Sequence, residues 1–324
     1  MNKTHLYDAH LKLSAKMVDF ASWLMPLQYT GIIDEHFFVR NSAGIFDISH
    51  MGQIEVYDVN ALQFLTTNDI FELQNYFGQY SFFCNENGGV IDDVIIYKLP
   101  EKFLVISNAV NALKVFEKIK NLDQKAKLLY EENFAIAVQG PKAIEISQKV
   151  FNDEEISNLK KRQVKLVFFG DYSGLLSRSG YTGEDGVEIF FTKDVAENMW
   201  DRFIKFGAKP CGLGSRDILR IEAGLPLYGH EIDEKITPIE AGFDFAVKLN
   251  KTNFVGENAL KNQNENGTQK KLFGFEIMGR GIPRQNNILY DNGNEIGFIT
   301  SGTFSPVKKA PIAMGYIYTK HLKD

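Results

Sequence analysis

The stretch Gly88-Gly89-Val90-Ile91-Asp92-Asp93-Val94-Ile95-Ile96-Tyr97 constrains this chain more than any other. Two glycines make a turn, and the β-branched run leaving it predicts a buried strand. Strand side chains alternate between faces. Val90, Asp92, Val94 and Ile96 therefore share one side, and Ile91, Asp93, Ile95 and Tyr97 the other. Each face carries one carboxylate among apolar neighbours. Either the acids sit at the strand's wet end near the turn, or they are paired, neutralised or functional, because an unpaired buried carboxylate is expensive.

Around this strand the pattern mixes short strands and helices without a βαβ rhythm. Residues 80–84 form a hairpin with it across Asn85-Glu86-Asn87-Gly88-Gly89, and residues 103–107 read as a third strand. A helix is predicted over 109–122, with Val110, Leu113, Phe116 and Ile119 on its apolar face. Further strands are predicted at 44–48, 52–57, 135–140, 164–169, 174–178 and 188–191. Helices are expected after Pro141, over 195–206 and over 216–223. Residues 262–269, polar and Asn-rich, read as a linker. The short strands beyond them predict a small all-β module.

Composition narrows the function classes. The formal net charge of −5 argues against a general nucleic-acid binder, which would carry a basic excess. Cys84 and Cys211 stand apart, and the six histidines form no HExxH or HxH cluster, which argues against a metal enzyme and fits a reducing compartment. No apolar run approaches the ~20 residues of a membrane span. The amino-terminal residues carry no apolar signal core and no Arg-rich transit character. The expectation is a cytoplasmic protein, or a mitochondrial matrix protein already processed.

Three more segments stand out. Ser179-Gly180-Tyr181-Thr182-Gly183-Glu184-Asp185-Gly186 is tight-turn chemistry, and it launches a strand bearing Glu188. Gly212-Leu213-Gly214-Ser215-Arg216-Asp217 enters a helix but lacks the third glycine of a dinucleotide fingerprint. Arg216 either clamps a carboxylate or pairs with Asp217 or Glu222. Thr300-Ser301-Gly302-Thr303-Phe304-Ser305-Pro306 is a polar turn. No Walker A motif and no GxSxG elbow is present. Taken alone, these residues point to a site for an aromatic, carboxylate-bearing ligand.

In order along the chain, these segments resemble the glycine cleavage T-protein (aminomethyltransferase) family. Further matching blocks are Met17-Val18-Asp19-Phe20, Met25-Pro26-Leu27-Gln28-Tyr29, Gly44-Ile45-Phe46-Asp47-Ile48-Ser49-His50-Met51, Gln139-Gly140-Pro141, Leu219-Arg220-Ile221-Glu222-Ala223-Gly224 and Leu227-Tyr228-Gly229. The resemblance implies an α+β fold of three domains in a ring, or cloverleaf, with antiparallel sheets and a C-terminal barrel or jelly-roll-like module. The implied domains are 1–52 with 137–230, then 53–136 with 231–270, then 271–324. The implied reaction belongs to glycine catabolism and one-carbon metabolism. A methylene group passes from the aminomethyl-lipoyl arm of the H-protein to tetrahydrofolate, the co-substrate, and ammonia is released. Carried over residue by residue, Asp93 is the key catalytic carboxylate, Glu188 hydrogen-bonds the pterin, and Arg216 binds the folate's glutamate carboxylate. Met51, Tyr80, Tyr97, Asn108 and Tyr181 line the cleft. Family members continue past the equivalent of Tyr316-Ile317-Tyr318 with more strands and another folate-contacting arginine, whereas this chain ends at Asp324. Alternatives are a related folate-dependent demethylase, which the T-protein blocks disfavour, and a non-catalytic folate-binding factor of the same fold. The latter carries a cysteine motif that neither Cys84 nor Cys211 supplies.

Overall fold

A computed structural model describes residues 1–279 and 281–322. In it the acid-bearing strand, Val90–Lys98, lies second in a five-stranded antiparallel sheet. The order is Gly78–Cys84, Val90–Lys98, Phe103–Ser107, Gly52–Val56 and Lys127–Leu128. Both glycines of its turn are required. Gly88 has φ +80°, and a Cβ on Gly89 would stand 1.9 Å from the Glu234 carbonyl oxygen.

Alternation decides what each face of this sheet covers. Val94 and Ile96 join Ile54, Val56 and Val105 beneath the helices Val59–Leu65 and Ala112–Leu122. Ile95, Tyr97, Leu104 and Ile106 point the other way, onto a second sheet. That sheet has six strands, in the order Val164–Phe169, Tyr172–Ser177, Gly186–Thr192, Asn133–Gln139, Gly44–Asp47 and Lys209–Pro210. Its Phe46, Ala135, Ala137 and Phe190 meet the first sheet. Ile45, Phe134, Ile136, Val138 and Ile189 face the helices Ala143–Phe151 and Ala196–Lys205. The layers run helix, sheet, sheet, helix. Each buried aliphatic side chain contributes about 1.5–3 kcal/mol, so a one-residue register slip would forfeit a whole face.

The third unit is a four-stranded antiparallel sheet, ordered Lys270–Glu276, Ala310–Tyr318, Asn294–Ser305 and Ile288–Asp291. The fold class is α+β with antiparallel sheets as expected, but this module is an open sheet among the described residues. Its outer strands flank two long central ones and do not meet, and four strands of ordinary twist do not curl far enough to close. Three contacts join the units pairwise into a ring. The two larger sheets share the core just described. The five-stranded sheet meets the third unit through Phe82, Ile232, Phe254 and Tyr316. Helix Leu213–Glu222 meets it through Ile221, Ile312 and Met314.

Two local expectations are corrected. Most of the predicted linker 262–269 is the end of a helix, Glu257–Asn266, bracketed by Gly256 and Gly267 at positive φ. Burial of Leu260 and the i,i+4 contacts Glu257–Lys261 and Asn262–Asn266 outweigh its polar composition. The helix predicted from residue 109 starts at Ala112 and buries Ala112, Val115 and Ile119, leaving Val110 and Leu113 63% exposed. Phe116 and Ile119 of the predicted face do pack in the core, whereas Val110 precedes the helix and Leu113 turns outward.

Candidate active site

Asp93 shares a strand face with Ile95 and Tyr97 and lies toward the Gly88-Gly89 turn. Its cross-strand partner is Phe82, which places Tyr80 on the diagonal. Tyr80 donates its hydroxyl to Asp93 Oδ2 at 2.9 Å, and Asn108 donates Nδ2 to Asp93 Oδ1 at 2.7 Å. Burial raises the Asp93 carboxyl above its ordinary range, against the pull of these two donors. Among the described residues no Lys, Arg or His forms an ion pair with it. Asp92, on the opposite face, is fully buried and accepts from Asn108 and Asn111. Asp92 is closed off from water, and Asp93 is half-buried. Tyr80 stacks on Phe245 with centroids 6.2 Å apart, and Phe245 remains 56% exposed. An exposed apolar ring thus stands beside the tyrosine that holds the carboxylate.

A second group comes from the six-stranded sheet and the helix Leu213–Glu222. Arg216 lies over the rings of Tyr181, at 4.8 Å, and Phe46, at 5.9 Å. Burial lowers its pKa, opposed by Glu188 and Tyr181. Its Nη1 is buried with no hydrogen-bond acceptor among the described residues. The two partners that could have made it structural are engaged elsewhere. Asp217 pairs with Arg220, and Glu222 pairs with Arg40 and His36. Glu188 accepts from Ser179 Oγ at 2.7 Å, and that hydroxyl lies 3.2 Å from the Tyr97 hydroxyl. Tyr181 donates to the Pro226 carbonyl. Burial pushes Tyr80, Tyr97 and Tyr181 upward, so all three remain protonated donors. Met51 packs at the edge of the core between the two sheets. The Asp93 charge adds to the upward push on the Tyr181 hydroxyl.

Several contributors were not foreseen from sequence. Ser179 lies in the singled-out turn, but its hydroxyl orients Glu188 nine residues on. Phe245, in Phe243-Asp244-Phe245, carries no motif beyond an aromatic in a polar loop. Asn111 follows Asn108 by three residues, the one local signal available.

Comparison with known proteins bears on the chain and its fold. Residues 6–251 match the GCVT N-terminal domain, and residues 270–324 match the glycine cleavage T-protein C-terminal barrel domain. The chain is 44% identical over 339 residues to the aminomethyltransferase of Caldanaerobacter subterraneus subsp. tengcongensis, covering 99% of this chain and 89% of that protein. It is 44% identical over 334 residues to the aminomethyltransferase of Bacillus mycoides, covering 99% and 91%. Its fold superposes on the crystal structure of glycine cleavage system aminomethyltransferase T from Bartonella henselae with a TM-score of 0.91 and 34% identity, covering 98% and 90% of the two chains. No helix among the described residues is long and apolar enough to cross a membrane. The chain belongs to the glycine cleavage T-protein family of aminomethyltransferases.

Proposed function

We propose that the cleft between Asp93 and Arg216 binds tetrahydrofolate and receives the aminomethyl-lipoyl arm of an H-protein. The one-carbon unit leaves both sulfur and nitrogen, giving methylenetetrahydrofolate, ammonia and the dithiol arm. The observation that carries this reading is the buried Arg216 Nη1 with no acceptor, which fits a ligand carboxylate. Arg216 holds the folate's glutamate carboxylate, and Glu188, oriented by Ser179, accepts from the pterin. Met51, Tyr80, Tyr97, Asn108 and Tyr181 line the walls. Tetrahydrofolate supplies the nitrogens that take up the carbon. Asp93 is the catalytic carboxylate. Held by Tyr80 and Asn108 and paired with no cation, it faces the positive charge that develops at the transferred carbon.

We carry the three-unit division as part of this proposal. The units are 1–52 with 137–230, 53–136 with 231–270, and 271–324, and pairing of the whole strand Asn133–Gln139 in the six-stranded sheet favours an earlier return to the first unit. Buried, unpaired Cys84 and Cys211 support a reducing, cytoplasmic setting. The test is an assay with aminomethylated H-protein and tetrahydrofolate that follows methylenetetrahydrofolate and ammonia together. Equal amounts of the two are expected. Ammonia without methylenetetrahydrofolate, or neither product, overturns the proposal.

A further inference from the structure

We propose that Asp92 is a positioning residue, whose buried carboxylate fixes the Asn108 amide and, through it, aims Asp93 at the reacting carbon. This role rests on the catalytic assignment of Asp93 above. Asp92 has no exposed surface, so it touches neither co-substrate. It lies on the strand face that packs under two helices, where an unsatisfied carboxylate would cost several kcal/mol. Three contacts satisfy it. Asn108 N–H donates to Oδ2 at 3.0 Å, and the Nδ2 groups of Asn108 and Asn111 each donate to Oδ1 at 2.9 Å. All three groups donate, against burial and the neighbouring Asp93 charge, which push the Asp92 carboxyl well above its ordinary range.

The Asn108 contacts set a direction. Its main-chain N–H pins the chain as it leaves strand Phe103–Ser107. Its amide nitrogen meets Asp92 Oδ1 and also Asp93 Oδ1, at 2.7 Å. A flipped amide would turn its carbonyl oxygen onto two carboxylates. Asp92 thus decides which end of Asn108 reaches Asp93. With Oδ1 of Asp93 held there and Oδ2 held by Tyr80, the carboxylate has one orientation. Adjacent acids on opposite faces of one strand are then two parts of one device. One meets the reaction, and the other holds its partner from inside the core.

The test is a double-mutant cycle in the methylenetetrahydrofolate assay, with tetrahydrofolate binding measured on each protein. Asp92→Asn is expected to lower kcat about 10-fold with KM and tetrahydrofolate Kd unchanged, since a displacement of about 1 Å costs up to about 100-fold. In the Asp93→Asn background the same change should cost nothing further. Asn111→Ala, which removes one donor and leaves the acid in place, should lower kcat in the same direction by about 3-fold, again only when Asp93 is present. It carries the cycle if Asp92→Asn does not fold. Additive losses, or an unchanged kcat with only a lower melting temperature, overturn the role. A wild type that makes no methylenetetrahydrofolate overturns the function itself and this role with it, whereas an active wild type with additive losses overturns the role alone.

Discussion

Asp47 and Asp93 are both carboxylates on sheet strands, Asp47 buried and Asp93 half-buried, and their surroundings are opposite. Asp47 sits in the six-stranded sheet and accepts from Thr4 Oγ1 at 2.6 Å, from His10 Nε2 at 2.9 Å and from Ser49 N at 2.9 Å. Burial works against its ionisation, yet His10, Ser49 and Thr4 win and hold it at about 2. Asp93 has two donors and no cation, and burial wins there. The same contrast recurs one helical turn apart. Arg220 is fully engaged by Asp217, Glu231 and Ser301, and it ties the helix Leu213–Glu222 to the third unit. Arg216 keeps a buried nitrogen without an acceptor. Charges whose partners are complete hold the fold. Charges left incomplete keep capacity for a ligand or a transition state.

The largest expected effect is on activity. Asp93→Asn should fold and lose about 100-fold or more in kcat, because an amide of the same shape cannot stabilise developing positive charge. Wild-type turnover in this variant would erase the functional half of the contrast. Next comes Arg216→Ala, which should weaken tetrahydrofolate binding by roughly 10- to 150-fold, the equivalent of about 1.5–3 kcal/mol for a charge-assisted contact. Arg216→Lys should rescue little, since an ammonium lacks the planar fork. Calorimetric titration giving wild-type affinity would move Arg216 into the structural class beside Arg220.

The paired side of the comparison is tested through stability. The depressed Asp47 contributes stability above the ordinary carboxylate value of 3.8, and that contribution disappears as pH falls through about 2. Asp47→Asn should therefore destabilise the protein by about 2 kcal/mol at pH 7 and by progressively less below pH 4. A constant difference in denaturant midpoints across that range would break the assignment.

The smallest effect is the most pointed. A carboxyl raised by burial binds its proton more tightly folded than unfolded, so its ionisation opposes folding as pH rises past the ordinary carboxylate range. Asp93→Asn should then raise the melting temperature at pH 7 by about 1–3 °C while activity is lost. Calorimetry that finds a lower melting temperature would mean Asp93 holds structure after all.

The acid-bearing strand was legible from Asp92 onward because period-two alternation and two glycines are local signals, but an irregularity opposite Phe83 and Cys84 reverses Val90 and Ile91, which pack on the faces opposite to those expected. Asp93, Tyr97 and the hairpin with Tyr80 follow from neighbouring residues. Arg216 over Tyr181 was not legible from spacing, because 34 intervening positions and a change of element separate the two residues. The resemblance supplied both, without their geometry. His10 with Asp47 left no signal, since a histidine on a short helix and an acid on a distant strand meet only once the sheet is assembled. The linker expectation over 262–269 failed because composition is blind to a single buried leucine, Leu260, which anchors the helix it belongs to.

The interleaving of the two larger sheets has a consequence for how the nascent protein matures. All five strands of the acid-bearing sheet come from one uninterrupted stretch, Gly52 to Leu128. The strand Gly44–Asp47 emerges before them, yet its antiparallel partner is Asn133–Gln139 and its parallel partner is Lys209–Pro210. Synthesis delivers residues in order, and distant pairings form late. The unit that carries Asp93 therefore has its strands in hand while Ile45 and Phe46 still lack a sheet to enter. Until residues 133–139 are available, Ile45 and Phe46 have no antiparallel partner strand, so this sheet is completed after the strands of the other have been made.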